Sequence, residues 1–189
     1  MTVSDFGALL FHMQAQATSM EIRLLDRRDA PAYQALRLQA LRDSPQAFSA
    51  SVEDEADRSV DAVAARLVPA ADGSVRTLGI FVDGELAGFV ALLHPQRAKL
   101  CHGAELAGMY VAPAHRQRGC GAALLRAAIA HARAIAGVRQ LGLSVNATNT
   151  AAKALYRAMG FVGWGVQPQA LQIAGVFHDE EHMQLRLAP

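Results

Sequence analysis

The spacing of apolar residues switches along the chain between a period of two and a period near 3.6, the signatures of strands and helices. Glu21–Leu25 alternates and predicts a first strand. Asp29-Ala30-Pro31 marks a helix start, with Asp as the capping residue and Pro in the first turn. Tyr33, Leu36 and Leu41 carry the helical spacing on to Ser44-Pro45. The Ala-rich stretch Ser59–Val68 predicts a second helix. Val75–Val82 and Glu85–Leu93 predict a hairpin around the tight turn Asp83-Gly84. A further strand is predicted over Leu100–Val111, closed by Pro113. Gly119–Ile135 predicts a long helix with Leu124, Leu125, Ala128 and Ile129 on one stripe. Leu141, Leu143 and Val145 alternate within Gln140–Val145, a strand. Thr150–Met159 predicts a helix ended by Gly160 as its C′ glycine. Phe161–Val166 and Met183–Leu187 are the last predicted strands.

The strand–helix–strand segment from 100 to 145 needs a crossover, and a crossover implies a parallel pair inside a mixed sheet. The expected fold class is therefore α/β. At 189 residues the chain has the length of one domain of about 150 residues with little to spare. Residues 1–19 stand apart from this pattern. They contain no Lys or Arg, and their apolar run, Ala8–Phe11, is too short for the core of a secretory leader. They read as a loosely attached extension, with the domain at 20–189.

Composition narrows the function classes. Hydrophobic residues at 52% against 19% charged exclude a disordered chain. Two cysteines exclude a disulfide scaffold and a multi-cysteine zinc module, and with no leader they place the expected compartment in the reducing cytoplasm. A net charge of +1 supplies no bulk attraction to nucleic acid or to an anionic membrane. No run of 18 apolar residues is present, so no membrane-spanning helix is expected.

Candidate chemistry begins at the turn joining the strand ending at Val111 to the long helix, Arg116-Gln117-Arg118-Gly119-Cys120-Gly121-Ala122. Gly119 and Gly121 allow close approach of a ligand to the backbone. The first helical amides are unpaired donors favoured by the helix dipole, and Arg116 and Arg118 add cationic forks. Together they read as a seat for a pyrophosphate, or as an ordinary strand–helix turn if the two glycines are taken alone. The third glycine of a dinucleotide fingerprint and the Gly-Lys-Ser/Thr of a P-loop are both absent.

A second motif follows about thirty residues on, Asn149-Thr150-Ala151-Ala152-Lys153-Ala154-Leu155-Tyr156-Arg157-Ala158-Met159-Gly160-Phe161. It resembles the N-x-x-A-x-x-L-Y-x-x-x-G-F signature of the GCN5-related N-acetyltransferase (GNAT) superfamily. Arg116–Gly121 is similar to that family's acetyl-CoA loop, R/Q-x-x-G-x-G/A, and Asp179–Leu185 resembles its closing strand. The resemblance runs from about Glu21 to Leu187.

It implies a single GNAT-like domain with a mixed, mostly antiparallel sheet, flanking helices and a parallel strand pair that splays apart to admit the pantetheine arm of acetyl-CoA. It implies cofactor contacts from the backbone of Met109, Tyr110 and Val111, from Arg116, Gln117, Arg118, Gly119, Cys120, Gly121 and Ala122, and from Asn149. Asn149 is equally a helix N-cap. Gly108, inside a strong strand, marks a bulge or a close backbone approach, or is a packing glycine. Tyr156 is the candidate general acid for the departing thiolate, or a core aromatic. Glu105 is the candidate general base, or a salt-bridged carboxylate, since strand interiors are poor in acids. The implied activity is acetyl transfer from acetyl-CoA, as co-substrate, to a small or protein amine by direct attack, without a metal. The alternative is a catalytically silent acyl-CoA-binding module. Members of the family are often homodimers.

Four features carry weaker or no chemistry. His178-Asp179-Glu180-Glu181-His182 matches the H-x-x-E-H pattern of zinc proteases, but the residues around it alternate as a strand. Cys120 reads as a small residue between two glycines, and His115 as a solvated loop residue. Glu53-Asp54-Glu55 is a solvated acidic run, or an acidic wall that suits a cationic acceptor.

Overall fold

The computed structural model describes residues 19–69 and 73–187; the expected extension at 1–19 lies, but for Ser19, outside the described residues. The elements follow the order β1 (Met20–Leu24), α1 (Ala30–Asp43), α2 (Val60–Leu67), β2 (Val75–Val82), β3 (Glu85–Leu93), β4 (Gly103–Val111), α3 (Cys120–Arg133), β5 (Gln140–Asn146), α4 (Thr150–Ala158), β6 (Val162–Ile173) and β7 (Val176–Arg186). The seven strands form one sheet in the order β1-β2-β3-β4-β5-β7-β6. Among the described residues its one parallel pair is β4–β5, joined by α3 as the crossover rule requires.

Side-chain alternation sorts the sheet into two faces. Leu78, Ile80, Val90 and Leu92 of the central strands share a buried cluster with Leu124, Leu125, Ala128 and Ile129, the predicted stripe of α3. Phe81 packs instead with Val63, Ala64 and Leu67 of α2, and Phe89 with Leu36 and Leu41 of α1. Strands buried on both faces lose the polar alternation of a half-exposed sheet and read as near-continuous apolar runs. Residues of β5 and β7, Leu141, Leu143, Val145, Met183 and Leu185, extend the α3 side of the core.

The sequence and the structure differ at three places. The strand expected from Leu100 begins at Gly103, because Leu100 and Cys101 close a turn onto Arg97 C=O. The last two strands run far beyond their expected limits. Gly163, Gly165 and Pro168 weaken β6 as a strand signal, yet an edge strand tolerates them, and its register to β7 shifts at Gly163/Gly165 and Gln167/Leu171. Asp29 precedes α1 as expected but does not cap it with its side chain. Its carboxylate accepts two guanidinium hydrogen bonds from Arg23, each 2.7 Å, and one from the Asp26 amide at 2.8 Å.

Those Arg23 bonds hold the Asp29 carboxyl below its ordinary pKa. The stabilisation is therefore present above the unfolded-state value near 4 and fades as pH falls through the lower folded value. Thermal unfolding is expected to show Asp29→Ala less stable by about 1–2 kcal/mol at pH 7. The gap to the parent should shrink below about pH 4; a gap of the same size at pH 3 would refute the assignment.

Candidate active site

β4 and β5 pair only through Gly103↔Gln140, Ala104↔Leu141 and Glu105↔Gly142. Beyond that point the strands diverge, and from Leu106 to Val111 the β5-facing edge of β4 has no strand partner among the described residues. The β3–β4 register shifts between Phe89 and Ala91, where β4 carries an extra residue. Gly108 lies in this bulge at φ +61°, a left-handed conformation that side chains resist. The divergence leaves a slot of about 70 Å³ lined by Leu106, Met109, Asn146, Asn149, Ala152 and Tyr156.

α4 aims Tyr156 into this slot. Asn149 caps the helix by accepting from Ala152 N–H at 3.0 Å, so the capping reading of Asn149 holds, and its side chain also borders the slot. The Tyr156 hydroxyl lies 3.9 Å from Met109 Sδ, and its ring meets Phe161 edge-on with centroids 5.9 Å apart. Burial pushes the phenol pKa up to about 12. Tyr156 therefore keeps its proton at neutral pH and faces the slot as a donor. Asn146 is 3% exposed; its Oδ1 accepts from Thr148, while its buried Nδ2 has no hydrogen-bond partner among the described residues.

The turn before α3 has the expected shape. Gln117 and Gly119 adopt φ +59° and +80°. The first helical bond runs from Ala123 N–H to Gly119 C=O at 2.9 Å, which leaves the Cys120, Gly121 and Ala122 amides ahead of the helical ladder. A β-carbon on Gly121 would come within 3.5 Å of Leu155 and 3.8 Å of Met109, and Met109 lines the slot. The Cys120 side chain is 1% exposed in the core, so only its backbone serves the turn. Arg116 folds back: its Nε donates to Val111 C=O at 2.9 Å, and its guanidinium lies 5.5 Å from the Tyr110 ring centroid. Arg118 is exposed. The Tyr110 side chain leaves the slot, donating to Asp43 at 2.6 Å, while its backbone stays on the diverging strand. His115 is not fully solvated; its Nδ1 is buried without a partner among the described residues.

A second cavity of about 920 Å³ adjoins the slot on the α1–α2 side. Tyr33, Arg37, Glu55, Arg58 and Glu105 line it, and Ser144, Glu180 and Gly108 line both cavities. Glu105 is exposed and lines this cleft, and a β-carbon on Gly142 would meet Glu105 Cγ at an ordinary contact distance of 3.8 Å. The acidic wall is corrected. Of Glu53, Asp54 and Glu55, only Glu55 lines the cleft, and Arg37 pairs with it at 3.0 Å. Asp54 turns back to cap Ser51 N–H at 2.7 Å. His178 and His182 both lie in the strand β7, not on one helical turn.

Sequence reasoning missed Ser144, Asn146 and Glu180. The signal was present: with Leu141, Leu143 and Val145 facing the core, Gly142, Ser144 and Asn146 must face the other way. That their face borders a slot is a consequence of the divergence alone.

The model of the Acetyltransferase (GNAT) family matches residues 34–161. A GNAT-family acetyltransferase from Streptococcus pneumoniae superposes with a TM-score of 0.79 at 28% identity, covering 89% of this chain and 100% of that one. A ribosomal-protein-alanine N-acetyltransferase from Brucella melitensis gives 0.77 at 26% identity, covering 88% and 99%. The yncA protein from Salmonella typhimurium, solved with acetyl-CoA as its cofactor, gives 0.75 at 24% identity over 90% and 95%, a likeness of fold. No curated protein matches the chain.

Proposed function

The chain belongs to the GNAT acetyltransferase family, and from that premise we propose that it moves the acetyl group of acetyl-CoA to an amine by direct attack, with no acyl-enzyme. The observation that carries the reading is the slot between β4 and β5, with a protonated phenol at one side and a separate open cleft at the other. A two-substrate reaction needs such a layout: donor and acceptor enter from different sides and meet at a common wall.

The residues present fit acetyl-CoA. The unpaired β4 edge over Met109, Tyr110 and Val111 offers backbone groups to an extended pantetheine arm, and the orphaned Asn146 Nδ2 offers a donor inside the slot. Cys120, Gly121 and Ala122 present amides to the pyrophosphate, within a turn shaped by Gln117 and Gly119. Arg116 braces that turn, and Arg118 adds an exposed cation at its rim. Backbone donors at the thioester carbonyl stabilise the developing oxyanion. Tyr156 donates to the departing sulfur. With the phenol pKa at about 12 against about 8.5 for a free thiol, complete transfer to an aqueous thiolate would run uphill by about 5 kcal/mol. Tyr156 thus acts first through the hydrogen bond, and parts with its proton only to a thiolate whose own basicity the slot has raised. The amine sheds its proton on the cleft side, where Glu105 and Glu180 are carboxylates that draw in a cation.

Thiol release across a panel of amines, with acetyl-CoA binding measured in parallel, tests the reading. Binding without release for every acceptor would favour the silent module instead. Arg118→Ala is expected to weaken acetyl-CoA binding about fivefold, an effect that shrinks in high salt because the contact is exposed. Titration calorimetry at two ionic strengths measures it.

A further inference from the structure

The face that carries Ser144 holds a group that the mechanism above leaves unused. His182 of β7 pairs across the sheet with Ser144 of β5, so the two side chains share a face. Ser144 Oγ lies 2.9 Å from His182 Nδ1, and Gln167 Oε1 of β6 lies 3.2 Å from His182 Nε2. The Gln167 oxygen only accepts, so Nε2 carries the hydrogen and Nδ1 keeps its lone pair. The Ser144 hydroxyl must then donate to Nδ1, and its own lone pairs remain open to the space around it. Ser144 lines both the slot and the acceptor cleft, so that space is where donor and acceptor meet.

From this arrangement, and resting on the transferase reading, we propose that Ser144 and His182 form a proton relay that deprotonates the acceptor amine, with Gln167 and Trp164 as positioning residues. The ammonium gives an N–H proton to Ser144 Oγ as the Ser144 hydroxyl proton moves to His182 Nδ1. The freed lone pair forms the C–N bond, the C–S bond breaks, and sulfur leaves with its electron pair. Of the two protons left on the attacking nitrogen, one stays in the neutral amide and the other balances the proton that the sulfur gains by way of the Tyr156 hydroxyl, giving a free thiol. His182 returns its proton to water.

Three observations support the assignment. The network is satisfied in both protonation states, because Ser144 Oγ and Gln167 Oε1 both accept from an imidazolium. The Trp164 ring lies tilted at 34° to the His182 ring with centroids 5.2 Å apart, a contact that holds the imidazole plane and gives a 69% exposed tryptophan a purpose. An imidazole is also a stronger base than a carboxylate by about two pKa units in water, about 100-fold in proton affinity. The imidazole is thus better matched to an ammonium, while the Glu105 side chain lines the cleft that receives it. The charged groups around His182 are few. Glu180 lies on its face of β7, and Glu105 lies across the cleft wall on β4. Glu181 points to the opposite face, where Lys153 and Arg157 bind it at 3.2 and 3.0 Å.

The test compares the full chain with Ser144→Ala, His182→Gln and the double variant, using the best amine of the panel. Each single change is expected to lower kcat/KM about tenfold, as a weaker base takes over, and to leave acetyl-CoA affinity unchanged. Because the two residues act in series, the double variant should lose no more than either single one. The ascending limb of kcat/KM against pH should change in all three. Imidazole ¹H–¹⁵N spectra should give His182 as the Nε2–H tautomer in the wild-type chain. Additive losses, an unchanged pH limb or an Nδ1–H tautomer would each overturn the relay. A wild-type chain that releases thiol with no amine would remove the transferase reading itself, and the relay with it.

Discussion

Tyr156→Phe is expected to lower acetyl-transfer turnover roughly 10- to 100-fold while acetyl-CoA affinity stays within about twofold. The substitution deletes one oxygen and leaves the ring, and with it the edge-on contact to Phe161 at 5.9 Å. Among the described residues the hydroxyl has only the Met109 sulfur, 3.9 Å away, as its partner, so its removal costs the ground state little. The loss falls on the state in which the sulfur carries negative charge. A hydrogen bond to a charged group contributes about 1.5–3 kcal/mol, which converts to the stated range. The phenol pKa of about 12 adds a second expectation. Turnover of the parent enzyme should show no falling limb from phenol ionisation below about pH 10, since the donor stays protonated there. Steady-state kinetics with a parallel binding measurement decides it: equal turnover in the variant removes Tyr156 from the chemistry, and a matching loss of affinity makes it a binding residue.

Phe161→Ala should destabilise the fold by about 3–5 kcal/mol, the cost of a large cavity in a packed core. Phe161 is 2% exposed and belongs to the cluster formed by α3, β5 and β7. For a chain of this length each kcal/mol shifts the melting temperature by about 2–4 °C, so the fall should be roughly 6–20 °C. The same ring buttresses Tyr156, so the loss of activity at a temperature where the variant is still folded should exceed that of Phe161→Leu, which fills most of the cavity. A melting temperature within about 2 °C of the parent would show that the surroundings collapse onto the gap, and the catalytic loss would then have to be explained by Tyr156 alone.

These effects bear on residues whose local setting was legible before the fold was known. The α3 stripe of Leu124, Leu125, Ala128 and Ile129 is buried as its spacing implied, and Gly160 takes φ +91° after α4 as a C′ glycine should. Gly108 proves to be a bulge glycine, and Asn149 a cap. Each follows from neighbours within a few residues, where sterics and hydrogen-bond reach act directly. The β6–β7 hairpin was legible only at its ends. Val162, Trp164 and Val166 are 69%, 69% and 58% exposed, so burial imposed no alternation on that edge strand. What holds it is the ladder to β7, a non-local pairing.

By itself, then, the sequence determined the order of the elements, the parallel crossover, the glycine turn with its leading amides, and the motif that places Tyr156 on α4. Only the tertiary structure decided which of these groups share a space. Three paired positions between β4 and β5, then divergence, make the slot. Glu55 is taken out of the acidic run by Arg37, and Ser144, His182 and Gln167 are joined from three separate strands. The physical reason is range. A helix, a cap or a turn is set by interactions a few residues long, which leave a periodic trace in the chain. A site is set by where distant strands part and meet, and cross-strand register leaves no such trace.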